Sequence, residues 1–118
     1  PDAPTTVNQV SFIVDSLAAV RAVHDRARDA GAKGIRPVSH GNALSVYFED
    51  PEGNTVEIYC DTPWYVPQPF GVPIDLSETD HAIMARTEAL CRATPGFKTR
   101  AAWIEELSGR IKARLAAR

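Results

Sequence analysis

Apolar residues recur along the first half of the chain with two different periods, and the switch between them outlines its elements. From Val7 to Val14 the alternation has a period of two, with Val10, Phe12 and Val14 on one side and Gln9, Ser11 and Ile13 on the other. The next segment, Leu17 to Ala30, places Leu17, Val20, Val23, Ala27 and Ala30 at helical spacing. Asp15 or Ser16 stands ready as its N-cap and Gly31 as its stop. Period two then returns in three short runs. Leu44, Val46 and Phe48 in one, and Val56, Ile58 and Cys60 in the last, form a uniformly apolar face that the helix must cover.

The turns between these runs set their register. Gly41-Asn42 has glycine at its first central position, the signal of a two-residue type II′ hairpin, so His40 faces Ala43, Val38 faces Ser45 and Arg36 faces Tyr47. Asp50 to Asn54 is a five-residue loop, which pairs Glu49 with Thr55 and Tyr47 with Glu57. Arg36, His40, Tyr47 and Glu57 then share one face of the sheet, and alternation along the first strand adds Gln9. A one-residue slip at either turn would scatter the set to opposite faces.

The order strand, helix, strand, strand, strand over residues 7–60 is a βαβββ unit. That order, with Val38-Ser39-His40, Val46-Tyr47, Asp50-Pro51, Gly53 and Glu57, resembles the vicinal oxygen chelate group, the glyoxalase, bleomycin-resistance and extradiol dioxygenase superfamily. Within the group the run is similar to the signature of type I extradiol ring-cleaving dioxygenases. The resemblance covers the first half of the chain. It implies Glu57 as a metal ligand, His40 as acid and base close to bound oxygen, and Tyr47 as the hydroxyl that holds a catecholic substrate. The implied cofactor is a divalent metal, Fe(2+) first, with Mn(2+), Zn(2+) or Ni(2+) as alternatives, and the implied partners are a small aromatic substrate and O2. A carboxylate beside neutral ligands and open positions suits such iron, and an imidazole can take and return a proton near neutral pH. Arg36 is placed to hold an anionic substrate group.

Gln9 departs from the pattern, because the dioxygenases carry a histidine ligand there. An amide oxygen is a harder and weaker ligand than imidazole, although some glyoxalase I enzymes of the superfamily use glutamine at this point. A glyoxalase-like isomerase with Glu57 as ligand and base is therefore the alternative activity. A metal-free module that binds an aromatic ligand, as in drug-resistance relatives, is the alternative without chemistry. Sites of this family lie between two βαβββ modules, and the chain shows one. The second module is expected from a preceding segment, as a start at Pro1 suggests, or from another chain in a homo-oligomer.

Composition changes the picture little. With 118 residues, 44% of them hydrophobic and 24% charged, the composition is that of an ordinary soluble globular protein, and the order of elements makes it α+β. A net charge of −2 argues against a nucleic-acid surface, although Phe97 to Arg118 carries +4 against −6 elsewhere, read here as a solvated helix. Cys60 and Cys91 form no metal or redox spacing, Cys60 reads as a small buried hydrophobe, and no apolar run reaches membrane length, so a cytoplasmic location is expected.

Three regions are expected: the module over 1–61, a strap over 62–76 and a helical extension over 77–118. The strap holds Pro63, Pro67, Pro69 and Pro73 with Trp64, Tyr65 and Phe70, runs extended, and is a poor central strand. It either lines the mouth of the site or covers a sheet edge, the second being the commoner use. Ser77 is expected to open a helix carrying Ile83, Met84, Thr87, Leu90 and Cys91, which Thr94-Pro95-Gly96 ends. A last helix from Thr99 to Ala116 aligns Trp103, Leu107, Ile111 and Leu115 in one stripe, to be docked on a partner or on the helix before it. His24 and His81 read as surface residues.

Overall fold

The computed structural model describes residues 9–117. Strand β1 (Gln9–Ile13) leads into helix α1 (Leu17–Asp29), followed by β2 (Arg36–Ser39), β3 (Ala43–Glu49) and β4 (Thr55–Asp61). Ser16 caps α1, its hydroxyl accepting from the Ala19 N–H at 3.1 Å, and the chain leaves the helix through Gly31 at φ +75°. These elements are the expected βαβββ unit. Val7, at the start of the expected first strand, lies outside the described residues.

The sheet has five strands rather than four, in the order β1-β4-β3-β2-β6. The extra strand, β6 (Val72–Pro73), comes from the strap and pairs antiparallel with β2. Proline lacks the N–H that a central strand needs, yet an edge strand leaves one side unpaired, so Pro73 is tolerated there. The strap also gives β5 (Trp64–Tyr65), which forms a two-stranded ribbon with β7 (Lys98–Thr99).

The antiparallel registers follow the turn arithmetic: Arg36 opposes Tyr47, Val38 opposes Ser45, Tyr47 opposes Glu57 and Glu49 opposes Thr55. The first turn differs in type. The Asn42 N–H donates to the His40 carbonyl at 2.9 Å, a γ-turn centred on Gly41 at φ +75°, rather than type II′. The register survives because the His40 N–H still donates to the Ala43 carbonyl at 2.9 Å. In the second loop the Asp50 carboxylate accepts from the N–H groups of Glu52 and Asn54 at 2.9 and 2.8 Å, and Gly53 takes φ +85°.

Helix α1 covers β3 and β4. Leu17 and Val20 bury against Leu44, Val46, Ile58 and Cys60, and Leu76 and Ile83 complete this core. Val10 and Phe12 align with Val56 and Ile58 on the same face, as alternation predicts, but they stand 41% and 54% exposed because β1 is the edge strand beyond the reach of α1. Ile13, on the other face, is 59% exposed.

Helix α2 (Asp80–Arg92) starts at Thr79, two residues later than expected. The Ser77 hydroxyl and N–H instead both donate to Asp75, a local turn that competes with capping. Ile83, Thr87 and Cys91 bury as the stripe predicts, and Cys91 joins Trp64 and Val66 in a second small core. Helix α3 (Arg100–Ala116) packs on β5 and β7 through its first turns, where Trp103 stacks on Tyr65 at 4.1 Å. The rest of its stripe is exposed rather than docked on the helix before it.

Gly41 sits against the second core. A Cβ there would lie 2.4 Å from a Val66 methyl carbon and 3.3 Å from the Cys91 sulfur, in a backbone conformation that already disfavours any L side chain. Gly41→Ala is expected to cost about 2–4 kcal/mol in urea denaturation, combining left-handed strain with overpacking. Gly53→Ala, whose Cβ would meet open space, should cost only about 1–2 kcal/mol from strain.

Candidate functional site

The polar face of the sheet gathers the five residues that the sequence singled out, and Glu57 sits among them. Its side chain is 13% exposed, which for a carboxylate demands partners. Ser11, directly across the parallel β1–β4 pair, donates to Oε1 at 2.8 Å, and Ser45, on β3, donates to Oε2 at 2.8 Å. Gln9 is one rung further along β1, opposite Thr55, and reaches Oε1 through its amide nitrogen at a long 3.4 Å. Burial pushes the Glu57 carboxyl up. The hydroxyls of Ser11 and Ser45 more than offset this and hold it below the usual carboxylate range.

His40 follows β2 at the Gly41 turn and is clamped from both ring nitrogens. Nδ1 lies 2.9 Å from the Phe70 carbonyl, which can only accept, so Nδ1 carries the proton. Nε2 is then free to accept from the Tyr47 hydroxyl at 2.7 Å, and it stands 3.9 Å from Oε2 of Glu57. The strap therefore does more than cover an edge. Besides the Phe70 carbonyl, the Gln68 amide donates to the backbone carbonyl of His40 at 2.9 Å. Arg36 lies with its guanidinium 4.6 Å above the Tyr47 ring. Desolvation, followed by the neighbouring Glu57 carboxylate, pushes the Tyr47 phenol from 10.0 up to about 12 against the pull of Arg36.

Gln9, Arg36, His40 and Tyr47 line an open cleft of about 380 Å³, with Gly71, Val72 and Pro73 of the strap along one side. A larger groove of about 520 Å³ lies between the end of α1 and the β3–β4 loop. It gathers alanines, Phe48 and loop residues but no histidine or tyrosine, so the chemistry belongs to the cleft. His24 lies outside it, half-buried against Asp25 at 3.0 Å rather than fully on the surface.

Sequence reasoning missed Ser11, Ser45, Gln68 and the Phe70 carbonyl. The two serines were within reach of the pattern, since alternation already puts both on the polar face. What was lacking was a turn to fix the parallel register that sets Ser11 beside Glu57.

Among the described residues no three histidine, cysteine, aspartate or glutamate side chains converge to hold a metal. One carboxylate and, after rotation of its amide, the oxygen of Gln9 are the donors this module offers beside the imidazole. Both carboxylate oxygens already accept hydroxyl hydrogen bonds. The donor set fits half of a metal centre and requires further ligands from outside the described residues.

The sequence of this module has a counterpart among known families. Residues 1–58 match the Glyoxalase/Bleomycin resistance protein/Dioxygenase superfamily. The βαβββ module belongs to that superfamily, the vicinal oxygen chelate group. The superfamily includes many enzymes and some members without enzymatic activity, and its members typically bind divalent metals and are often oligomeric. Comparison with curated proteins gave no match. No described helix is long and apolar enough to cross a membrane.

Two titrations follow with opposite signs. Glu57 ionises more readily folded than unfolded, so its contribution to stability is present above the unfolded carboxylate pKa and is lost as pH falls through the depressed folded value. Glu57→Gln should therefore flatten the acid side of a stability profile measured by urea denaturation. The neutral Tyr47 phenol contributes below pH 10 and ceases to as pH rises through about 12. Phenolate absorbance should show one late-titrating tyrosine, missing in Tyr47→Phe.

Proposed function

We propose that this module is half of a metal-dependent, extradiol dioxygenase-like site that opens a catecholic ring with O2. The observation that carries the reading is the hydrogen-bonded His40–Tyr47 pair, at 2.7 Å, on an open cleft beside an ionised Glu57. Glu57 supplies the carboxylate ligand to a divalent metal, Fe(2+) ahead of Mn(2+), Zn(2+) or Ni(2+), with Gln9 near or on it. A second βαβββ module, from another part of a longer chain or from another copy, supplies the remaining ligands. Bound there, the metal supplies positions at which substrate and oxygen meet.

The chain's own residues account for the handling of the substrate. His40 Nε2, held as a proton acceptor by the Nδ1–carbonyl contact, takes the proton of a phenolic hydroxyl entering the cleft and later returns it. Tyr47 stays a neutral donor throughout the physiological range, so it can hold the substrate oxygen without competing as an anion. Arg36 stands at the cleft wall for an anionic substituent, and the Val72-Pro73 edge gives the ring an apolar neighbour. A cytoplasmic location accords with two free, buried thiols.

One observation favours a second reading. Both oxygens of Glu57 are satisfied by serine hydroxyls, so the face is stable without a metal and suits a binding module for aromatic ligands. A glyoxalase-like isomerase, with Glu57 as base, is less well served, because hydrogen bonds that lower a carboxyl pKa also weaken it as a base.

Metal analysis separates the readings. After preparation in iron, the assembled protein should retain metal, Glu57→Ala should lose it, and His40→Ala should keep it while ring cleavage falls about 100-fold or more. Equal metal content in wild type and Glu57→Ala discards the ligand role. Catechol binding by metal-stripped protein, seen by calorimetry without turnover in the iron-loaded form, selects the binding module.

A further inference from the structure

Helix α3 carries an unpartnered surface with its own internal symmetry. Its N-terminal end is fixed: the Thr99 hydroxyl accepts from the Ala102 N–H, Trp103 stacks on Tyr65, and Lys98 is bridged to Glu106. Beyond that anchor Ile104, Leu107, Ile111 and Leu115 are 51%, 40%, 53% and 60% exposed. At about 100° per residue the four fall within an arc of roughly 80°, a single seam.

The charges beside the seam indicate what covers it. Glu105 and Lys112 both project on one flank, about 20° apart around the helix axis. Among the described residues neither has an ion-pair partner, whereas Glu106, on the back of the helix, is held by Lys98 and Arg110. A two-fold axis level with Gly109 brings Leu107 to Ile111 and Ile104 to within a residue of Leu115 of a second copy. In such an antiparallel pair each flank meets the same flank of the other copy, so Glu105 faces Lys112 twice over. A parallel pair would instead bring this flank against the one carrying Arg110 and Arg114, setting Lys112 among like charges.

We propose that α3 is a self-association helix, pairing antiparallel with α3 of a second copy through the Ile104–Leu115 seam and two Glu105–Lys112 bridges. The apolar pairs and the charged pair centre within one residue of each other, around Gly109, so one two-fold reversal approximately superposes both patterns. The contact is independent of the polar face of the sheet. It tethers two modules whether or not they complete each other's site.

Sedimentation of the full chain up to roughly 0.1 mM tests this, the range a contact of three turns requires. Wild type is expected to reach a dimer. Ile111→Asp, a change at an exposed position that circular dichroism should show to be folded, raises Kd about 100-fold by placing a charge in the seam. Glu105→Lys or Lys112→Glu alone raises Kd about 5- to 10-fold, and the double exchange returns it to within about 2-fold of wild type. A chain that stays monomeric, a dimer indifferent to Ile111→Asp, or a double exchange as weak as either single change would overturn the proposal. So would binding of the wild type to anionic vesicles with no self-association.

Discussion

The phase of β3 against its two neighbours decides everything on the polar face of this sheet. Side chains alternate strictly along a strand, so a shift of one residue would bury Tyr47 under α1 and turn Leu44 and Val46 to solvent. Two reversals hold that phase, and they do so differently. At Gly41 the turn is locked from outside: Thr62 donates to the Gly41 carbonyl at 2.6 Å, the Gly41 N–H donates to the Ser39 hydroxyl, and Val66 and Cys91 fill the space where a side chain would be. At Asp50 the loop is locked from within, by one carboxylate that accepts from its own backbone. The strap and α2 are thereby part of the reason that a site made by β2, β3 and β4 has its shape.

The same strap settles the state of His40. An imidazole beside a turn would ordinarily sample several rotamers and both tautomers. A backbone carbonyl on Nδ1 selects one tautomer and aims Nε2 at Tyr47 and toward Glu57. Tyr47 is in turn held between that acceptor and the Arg36 guanidinium. Preorganisation here runs from an irregular, proline-rich segment into a regular sheet, the reverse of the common arrangement in which a scaffold positions a loop.

Much of this was legible in the sequence because short-range chemistry fixes it. Gly41 and the Asp50 loop gave the antiparallel registers, the spacing of Leu17, Val20 and Ala27 gave the covering helix, and together they put Arg36, His40, Tyr47 and Glu57 on one face. The parallel neighbour was not legible, since a crossover through α1 leaves the stagger of β1 on β4 free, and that stagger sets Ser11 rather than Gln9 opposite Glu57. The role of Phe70 was hidden for another reason: its contribution is a carbonyl, which every residue has. The start of α2 at Thr79 depended on whether Ser77 would cap the helix or turn back on Asp75, and sequence spacing allows both.

The environment of Glu57 joins these points to the question of occupancy. Each hydroxyl hydrogen bond to a carboxylate contributes on the order of 1.5–3 kcal/mol, so Ser11 and Ser45 together stabilise the ionised, metal-free form by an amount that an incoming cation must exceed. A divalent ion with one carboxylate and one amide oxygen would not exceed it comfortably. One completed by further ligands would, since complete structural zinc sites in zinc-finger peptides reach about 10–16 kcal/mol. If the proposed second module supplies further ligands, the serines would make occupancy conditional on it: they hold the carboxylate ionised while the half-site is alone, and would have to yield its oxygens to a metal. On the proposed metal-binding reading, Ser11 and Ser45 would act as placeholders for a metal, and the departure at Gln9 would be tolerable because the half-site would not have to hold the ion by itself.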